Sequence, residues 1–122
     1  LPGITRDSIL TLAREWAEFK VTERFPTMSE LMAAAKEGRI LEVFCSGTAS
    51  VVMPCDRIVY KEKPYEDPVE IVVSQIVRDD SLYKRLHEAI TGIQYGKIDR
   101  PEWIRLVNSS NTAKLSKSEF FL

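Results

Sequence analysis

Histidine and cysteine are scarce in this chain of 122 residues, which contains one histidine, His87, and two cysteines, Cys45 and Cys55. Two cysteines do not make a disulfide framework, and their spacing is not that of a C-x-x-C motif. A zinc site would need more nitrogen and sulfur ligands than these residues supply. We therefore expect no metal site, and we expect Cys45, which follows Phe44 in an apolar run, to be a buried residue without redox chemistry.

Charge of one sign and long hydrophobic runs are also missing. The 17 basic and 18 acidic side chains give a net charge of -1, which provides no electrostatic attraction to nucleic acid or to an anionic membrane. No apolar run approaches the roughly 20 residues that cross a bilayer, and we expect no leader of secretory type. With 44% hydrophobic residues, the composition is typical of a soluble globular domain whose partner is a small molecule or another protein.

The spacing of apolar residues predicts three helices, two of them in the first third of the chain. Thr5 or Asp7 is expected to cap the first helix. Thr27 or Ser29 is expected to cap the second, and Gly38 to end it. The residues predicted to be buried on the first helix are Ile9, Leu12, Ala13, Trp16 and Phe19.

The third predicted helix lies in the last third of the chain. Its expected cap is Asp79, Asp80 or Ser81, and Gly96 lies just beyond its end. The residues predicted to form its buried stripe are Leu82, Leu86, Ala89, Ile90 and Ile93. The 15 residues from 108 to 122 lack periodicity and are expected to form a flexible tail.

Shorter apolar runs predict strands, which together with the helices indicate a mixed α/β fold. Two of these runs flank the small residues 46–49 and are expected to form adjacent strands. The path of residues 61–78 is not fixed by the pattern. The predicted strands are residues 20–25, 39–45, 50–55, 56–61 and 69–73.

The stretch "PGITRDS" contains the first candidate binding site. Gly3 allows close approach to the backbone just before the first helix, so the amides of Ile4 and Thr5 and the hydroxyl of Thr5 can point at an anion such as phosphate. The alternative is structural: Pro2 and Gly3 form a turn, and Thr5 serves only as a cap. The sequence leaves both open.

The stretch "SGTA", residues 46–49, is the second candidate. A glycine between two hydroxyl residues can expose consecutive amides in a concave nest that suits phosphate or carboxylate. A hairpin turn or a bulge is the structural alternative. Ser46, Thr48 and Ser50 have no histidine near them in the sequence, so neither stretch pairs a nucleophile with a base. The residues alone therefore predict two candidate anion sites and no catalytic group.

Four ordered stretches resemble the branched-chain amino-acid aminotransferases, which are pyridoxal-phosphate enzymes of fold type IV and belong to the class-IV aminotransferases. They are "LPGITRDSILTLAREW", "FKVTERFPTMSEL", "EVFCSGTASVV" and "ITGIQYGK", within residues 1–97. The resemblance implies that residues 1–107 are the C-terminal part of that α/β domain, with strands and about three packed helices. A chain that starts at the first of these motifs is expected to be a fragment or a cleaved product.

The resemblance also implies roles for particular residues. Ile4 and Thr5 would bind the phosphate of pyridoxal 5'-phosphate through their backbone amides, and Thr48 would bind the same phosphate. Ala49 would offer its amide to the α-carboxylate of the substrate. The family's cofactor-binding lysine lies upstream of the motif that begins at Leu1, so no catalytic residue is assigned and the chain alone is expected to be inactive.

The implied activity is amino-group transfer between leucine, isoleucine or valine and 2-oxoglutarate, by a homodimer of the complete enzyme in the cytoplasm or in mitochondria. Two alternatives share the fold: a D-amino-acid aminotransferase and an aminodeoxychorismate lyase. A third alternative is a truncated, non-catalytic remnant that associates with a full-length homologue. No nucleic acid or membrane partner is implied.

Overall fold

The computed structural model describes residues 2–73 and 79–107. These residues form three α-helices, four short strands and one 3-10 turn, so the predicted mixed helix and strand composition is confirmed. Residues 74–78 and the predicted flexible tail, 108–122, lie outside the described residues. The elements are α1 (Ile4–Trp16), α2 (Met28–Lys36), β1 (Phe44–Gly47), β2 (Val51–Pro54), β3 (Arg57–Tyr60), β4 (Val69–Val72), α3 (Leu82–Gln94) and the turn Pro101–Trp103.

Helix α1 begins earlier than predicted, at Ile4, with Gly3 in the N-cap position. The carbonyl of Gly3 accepts the first intrahelical hydrogen bond, from the amide of Asp7 at 3.0 Å. The expected caps, Thr5 and Asp7, are therefore both wrong, because each lies inside the helix and α1 has no side-chain cap. Asp7 lies in the first turn of α1, where its carboxylate still interacts favourably with the positive end of the helix.

The buried face of α1 agrees with the sequence pattern at three of the five predicted residues, and Trp16, predicted to be buried, is only half-buried. Ile9, Leu12 and Ala13 are buried, as predicted. Phe19 is 42% exposed, so that part of the prediction is wrong. The helix ends at Trp16, and Ala17 takes a left-handed conformation with φ 53°, which interrupts the helical spacing before Phe19 is reached.

Helix α2 begins and ends as the sequence predicts. The Thr27 hydroxyl accepts a hydrogen bond from the Glu30 amide at 3.2 Å, and the Glu30 carboxylate accepts one from the Thr27 amide at 2.7 Å. This reciprocal pair is a capping box, and it selects Thr27 over Ser29 as the cap. Gly38 follows the helix with φ +65°, a conformation that glycine adopts without strain.

The strand predicted at residues 20–25 is absent, since these residues form no regular element in the structure. Glu23 in this segment binds two arginines of α1, Arg6 and Arg14. Phe25, the last residue of the predicted strand, is fully exposed. An alternating pattern gives a strand only where another strand pairs with it, and here the segment is held to a helix by side chains instead.

Strands form within the predicted ranges 50–55, 56–61 and 69–73, and the four strands pair as two antiparallel ribbons. Phe44 pairs with Pro54 and Gly47 with Val51 in the first ribbon, while Arg57 pairs with Val72 in the second. The strand predicted at 39–45 is shorter than expected, because β1 starts only at Phe44. Among the described residues, the two ribbons are separate sheets of two strands each.

Cys45 lies on the solvent side of the first ribbon, opposite Met53. Its predicted burial is wrong, because Cys45 is exposed and Met53 is 52% exposed. Successive side chains of a strand point to opposite faces. In this ribbon Val52, the next residue from Met53, is the buried one at 4% exposure.

The chain divides into two units, residues 1–91 and 92–122. In the first unit the buried apolar residues come from α1, both ribbons and α3, and Leu86 of α3 has no exposed surface. In the second unit the amides of Lys97 and Ile98 donate to the Gly92 carbonyl at 2.7 and 2.9 Å. The predicted stripe of α3 is confirmed at Leu86, Ile90 and Ile93, which are all buried, and is wrong at Leu82 and Ala89, which are only half-buried.

Candidate functional site

The N-terminus of α1 presents backbone amides without helical acceptors. The first amides of any α-helix lack an intrahelical partner, which here leaves those of Ile4, Thr5 and Arg6. Gly3 supplies no side chain to cap them, and the Ile4 side chain is 85% exposed. The alternative in which Thr5 caps the helix is wrong. This end of α1 is therefore open to an anion that can accept hydrogen bonds.

Side chains around this helix end nearly balance in charge. Arg6 binds the Glu23 carboxylate at 2.9 Å, and Arg14 binds the same carboxylate from two turns further along. Hydrogen bonds from Arg14 and then from Arg6 hold the pKa of Glu23 below its usual value. Asp7 adds a negative charge to the first turn. The attraction for an anion thus comes from the amides and the helix dipole rather than from an excess of basic side chains.

The second candidate, "SGTA", forms the end of the first ribbon. Thr48, Ala49 and Ser50 make a three-residue turn between Gly47 and Val51, and all three are exposed. A hairpin turn, one of the two alternatives that the sequence left open, is thus what the chain forms. The amides of Thr48 and Ala49 lie at its tip, and their role in binding stays a prediction.

Val51, the residue after this turn, has an unusual backbone. Its φ is +56°, in the left-handed region that β-branched residues avoid. Strain of this kind costs on the order of 1–3 kcal/mol and persists where the surrounding structure fixes it, often at ligand sites. The pairing of Val51 with Gly47 and the burial of Val52 next to it fix this backbone.

Helix α1 packs against β1, the strand that leads into the second candidate loop. Ile4 and Thr5 form the first turn of that helix, and Thr48 and Ala49 follow the last residue of that strand. The structure thus attaches all four predicted binding residues to one packed pair of elements.

Two cavities of the first unit lie elsewhere. The larger, of about 500 Å³, is lined by residues that include Ile40, Glu42, Ile71 and Ser81. The smaller, of about 310 Å³, lies beside α2. None of the four predicted binding residues, Ile4, Thr5, Thr48 and Ala49, lines either of these two cavities.

Sequence reasoning missed Glu42, which lies just before β1. Its carboxylate accepts hydrogen bonds from the amides of Leu82 at 2.8 Å and Tyr83 at 3.1 Å, the first two residues of α3. The expected cap Ser81 is wrong, since its buried hydroxyl has no hydrogen-bond partner. The expected cap Asp79 binds Lys84 instead, at 3.0 Å. No local signal marks Glu42, because it is 40 residues away from the helix that it caps.

A metal centre or a membrane span would require particular groups of residues within the described ranges, 2–73 and 79–107. No group of three or more histidine, cysteine, aspartate or glutamate residues there is arranged to hold a metal ion. No helix in these ranges has the length and apolar character that a membrane span requires.

No family model matches the sequence. It is similar to curated proteins, among them the branched-chain-amino-acid aminotransferase of Dictyostelium discoideum, with 44% identity over 108 residues, 88% of this chain and 27% of that protein. The cytosolic enzyme of Caenorhabditis elegans is 42% identical over 105 residues, 86% of this chain and 25% of that protein. The mitochondrial enzyme of Bos taurus is 43% identical over 104 residues, which is 85% of this chain and 25% of that protein. The chain spans about a quarter of the length of the curated relatives it matches.

Proposed function

We propose that this chain forms the phosphate- and carboxylate-binding half of an aminotransferase active site. The reason is that it corresponds to a C-terminal segment of the branched-chain-amino-acid aminotransferases. The observation that carries this proposal is the uncapped N-terminus of α1, where the amides of Ile4 and Thr5 lack helical acceptors. These two residues lie in the "LPGITR" motif on which the resemblance rests.

Pyridoxal 5'-phosphate fits the donors of this half-site. Its phosphate is an anion rich in acceptor oxygens, and a helix N-terminus supplies both amide donors and a favourable dipole. Ile4 and Thr5 donate from α1, and the Thr48 hydroxyl donates from the turn between β1 and β2. Bound cofactor supplies the electron sink that amino-group transfer requires.

Ala49 binds the substrate in this proposal. Its backbone amide lies beside Thr48 at the exposed tip of the turn and donates to the α-carboxylate of the amino acid. One hairpin then orients both the cofactor and the substrate. Alanine adds little bulk next to the substrate, which leaves the amide accessible.

The covalent and proton-transfer chemistry is assigned to residues outside this chain. No lysine among residues 1–122 has a position in the matching motifs that corresponds to the cofactor-binding lysine of the family. The carboxylate that pairs with the pyridinium nitrogen is likewise placed elsewhere in the complete enzyme. Residues 1–107 then form part of the large domain of a fold type IV enzyme that acts as a homodimer on leucine, isoleucine or valine and 2-oxoglutarate.

Binding of pyridoxine 5'-phosphate to the isotope-labelled chain tests the half-site. This analogue has the cofactor's phosphate without its aldehyde, so surface lysines do not react with it. We expect its addition to shift the amide resonances of Ile4, Thr5, Thr48 and Ala49 in two-dimensional NMR spectra. Pyridoxine without the phosphate should leave these resonances unchanged.

A single substitution isolates the amide at the helix start. Ile4→Pro removes one donor, yet proline is favoured at the first position of a helix, so α1 should stay folded. We expect the variant to bind pyridoxine 5'-phosphate about tenfold more weakly, the loss of one hydrogen bond to a charged group. Full affinity in Ile4→Pro, or a wild-type chain whose four resonances do not move, contradicts the proposed half-site.

Activity is the second test. With pyridoxal phosphate, leucine and 2-oxoglutarate, the purified chain should form glutamate only at the background rate, since the cofactor-binding lysine is not among its residues. Turnover well above background would contradict the assignment of that lysine to another part of the enzyme.

A further inference from the structure

Glu42 joins two parts of the first unit that are far apart in sequence. It lies between α2 and β1, two residues before Phe44. One carboxylate oxygen accepts the Leu82 amide at 2.8 Å, and the other accepts the Tyr83 amide at 3.1 Å. Both bonds are partly buried. A charged acceptor on two unpaired amides of a helix N-terminus is among the stronger hydrogen-bonded arrangements in proteins.

A residue next to α3 could have capped its N-terminus without linking the helix to the chain before β1. Ser81 immediately precedes the helix and is only 6% exposed, yet its hydroxyl forms no hydrogen bond. Serine in this position usually accepts a bond from one of the first amides of the helix. The amides of Leu82 and Tyr83 donate to Glu42 instead. The Glu42 carboxylate therefore caps the N-terminus of α3 and also fixes the chain that enters β1 to this helix.

The ribbon is held at its base on both strands. On the side of β1, Glu42 binds α3. The bond from the Cys55 amide to the Val43 carbonyl, at 2.8 Å, joins the two strands of the ribbon to each other at this base. Beyond β2, the carbonyl of Asp56 accepts the Val73 amide at 2.8 Å. The bonds of Glu42 and Asp56 thus attach the base of the ribbon to α3 and to the residue that follows β4.

The turn that carries Thr48 and Ala49 lies at the other end of this ribbon. Thr48 lies six positions after Glu42, a distance of about 20 Å along an extended chain. A change of about 5° in ribbon direction at Glu42 would therefore move the turn by nearly 2 Å. A hydrogen bond to nitrogen is lost over much less than that, since its useful range is about 2.7 to 3.2 Å.

We propose that Glu42 is a positioning residue for the anion site, and that it holds the Thr48 and Ala49 turn in register with the N-terminus of α1 by fixing the base of the ribbon to α3. This inference rests on the proposed function for its ligand. Glu42 itself touches neither cofactor nor substrate, and its effect passes through β1.

Two variants with a matched control test this role in the full 122-residue chain. Glu42→Ala removes both bonds to α3. Glu42→Gln keeps the size of the side chain but leaves one acceptor for two amides. Ser81→Ala removes a hydroxyl that makes no hydrogen bond and leaves Glu42 in place. Each variant is titrated with pyridoxine 5'-phosphate and followed by NMR, and only resonances of folded molecules are used, so a loss of stability does not imitate a loss of affinity.

We expect Glu42→Ala to weaken binding about tenfold, the equivalent of one lost hydrogen bond to a charged group, and Glu42→Gln to fall between it and wild type. The ligand-induced shifts of Thr48 and Ala49 should shrink, while those of Ile4 and Thr5 persist. Residual dipolar couplings of the Thr48 and Ala49 amides should show that the turn is reoriented relative to α3. Ser81→Ala should match wild type in all three measurements.

Two results would overturn the inference, and they are distinguishable. If wild type binds the analogue and Glu42→Ala and Glu42→Gln bind it equally well with unchanged couplings, Glu42 is only a helix cap and the half-site stands. If wild type shows no shifts at the four predicted residues, the half-site and the positioning role both fail. If Glu42→Ala does not fold, the comparison of Glu42→Gln with Ser81→Ala decides.

Discussion

The guanidinium of Arg85 stacks on the indole of Trp16, with its central carbon 4.5 Å from the ring centroid. The same guanidinium donates two hydrogen bonds to Glu18, one of them at 2.8 Å. This hydrogen bonding raises the pKa of Arg85 and lowers that of Glu18. A single side chain of α3 thereby holds the C-terminal end of α1, the helix whose other end carries the candidate anion site.

Arg85→Lys is expected to lower the stability of the chain although it keeps the positive charge. Lysine lacks the planar fork that binds a carboxylate through two bonds and stacks on an aromatic face. Urea unfolding followed by tryptophan fluorescence should give a lower midpoint for Arg85→Lys and a still lower one for Arg85→Ala. Arg105→Lys, at an exposed arginine, is the control and should unfold like wild type. Equal midpoints for Arg85→Lys and wild type would show that charge alone accounts for the contact.

Acid is expected to loosen the attachment of residues 20–27 to α1. The bonds from Arg14 and Arg6 hold the pKa of Glu23 below its ordinary value of 4.5. A carboxyl group with a lowered pKa in the folded state stabilises that state above its unfolded pKa, and this contribution is lost as the pH falls through the folded value. The free energy of unfolding should therefore decrease from pH 4.5 downward.

Glu23→Gln tests that assignment. The variant should be less stable than wild type at neutral pH and should lose less stability between neutral pH and about pH 3, because its side chain does not titrate. Both differences should shrink in high salt, since Glu23 is 41% exposed and its ion pairs are screened. A variant with the full acid dependence of wild type would place the titrating groups elsewhere.

Thr27→Ala is expected to cost about 1 kcal/mol of stability, the usual effect of removing an N-cap hydroxyl. The Thr27 hydroxyl binds the Glu30 amide in the capping box of α2. Ser29→Ala provides the comparison, because Ser29 lies inside α2 and alanine favours the helix slightly more than serine does. Urea unfolding should rank Thr27→Ala below wild type and Ser29→Ala at or slightly above it. The reverse order would mean that the capping box does not form in solution.

Gly92→Ala is expected to destabilise the second unit despite the usual preference for alanine in a helix. A Cβ at residue 92 would lie 2.7 Å from Cδ1 and 3.0 Å from Cγ1 of Ile98. Two backbone bonds from Lys97 and Ile98 to the Gly92 carbonyl keep that segment close. Alanine in a free helix position would gain about 1 kcal/mol, whereas we expect a net loss of about 1 kcal/mol from overpacking.

The double variant separates the clash from other causes. Ile98→Ala removes both atoms that the new Cβ would meet, so Gly92→Ala should be tolerated better in that background. Gly47→Ala is the matched control, since a Cβ there meets nothing within 4 Å. If the effects of the two single substitutions simply add in the double variant, a clash between residue 92 and Ile98 is not the cause of the lost stability. Thermal unfolding and the amide resonances around residues 92–98 measure both effects.

Local signals predicted the helices and failed where distant residues decide the structure. Thr27, Glu30 and Gly38 mark the ends of α2 within a few residues, so the sequence is enough. The cap of α3 comes from Glu42, which no window around Ser81 contains. The first turn of α1 has no side-chain cap, so capping residues, the usual sequence signal of a helix start, place its beginning too late.

Strands were harder to predict, because their formation depends on pairing. Residues 20–25 alternate in the way a strand does, yet Glu23 binds two arginines and no strand forms. Cys45 has apolar neighbours in sequence, but a ribbon of two strands buries only one of its faces, and Cys45 lies on the other. For the candidate site, the sequence pointed to the amides of Ile4 and Thr5 and to the turn, and it contained no sign of the strained backbone at Val51.

The two ribbons have a consequence for how the chain behaves at high concentration. Among the described residues each ribbon has two strands, so each strand pairs with another strand along one edge only. A ribbon of two strands is marginally stable by itself, and an open edge is a template for another strand. A third strand from the same polypeptide would complete such a sheet, whereas a strand from a second copy would begin an aggregate. We therefore expect aggregation of the chain to increase more steeply with protein concentration than its nearly balanced charge alone predicts.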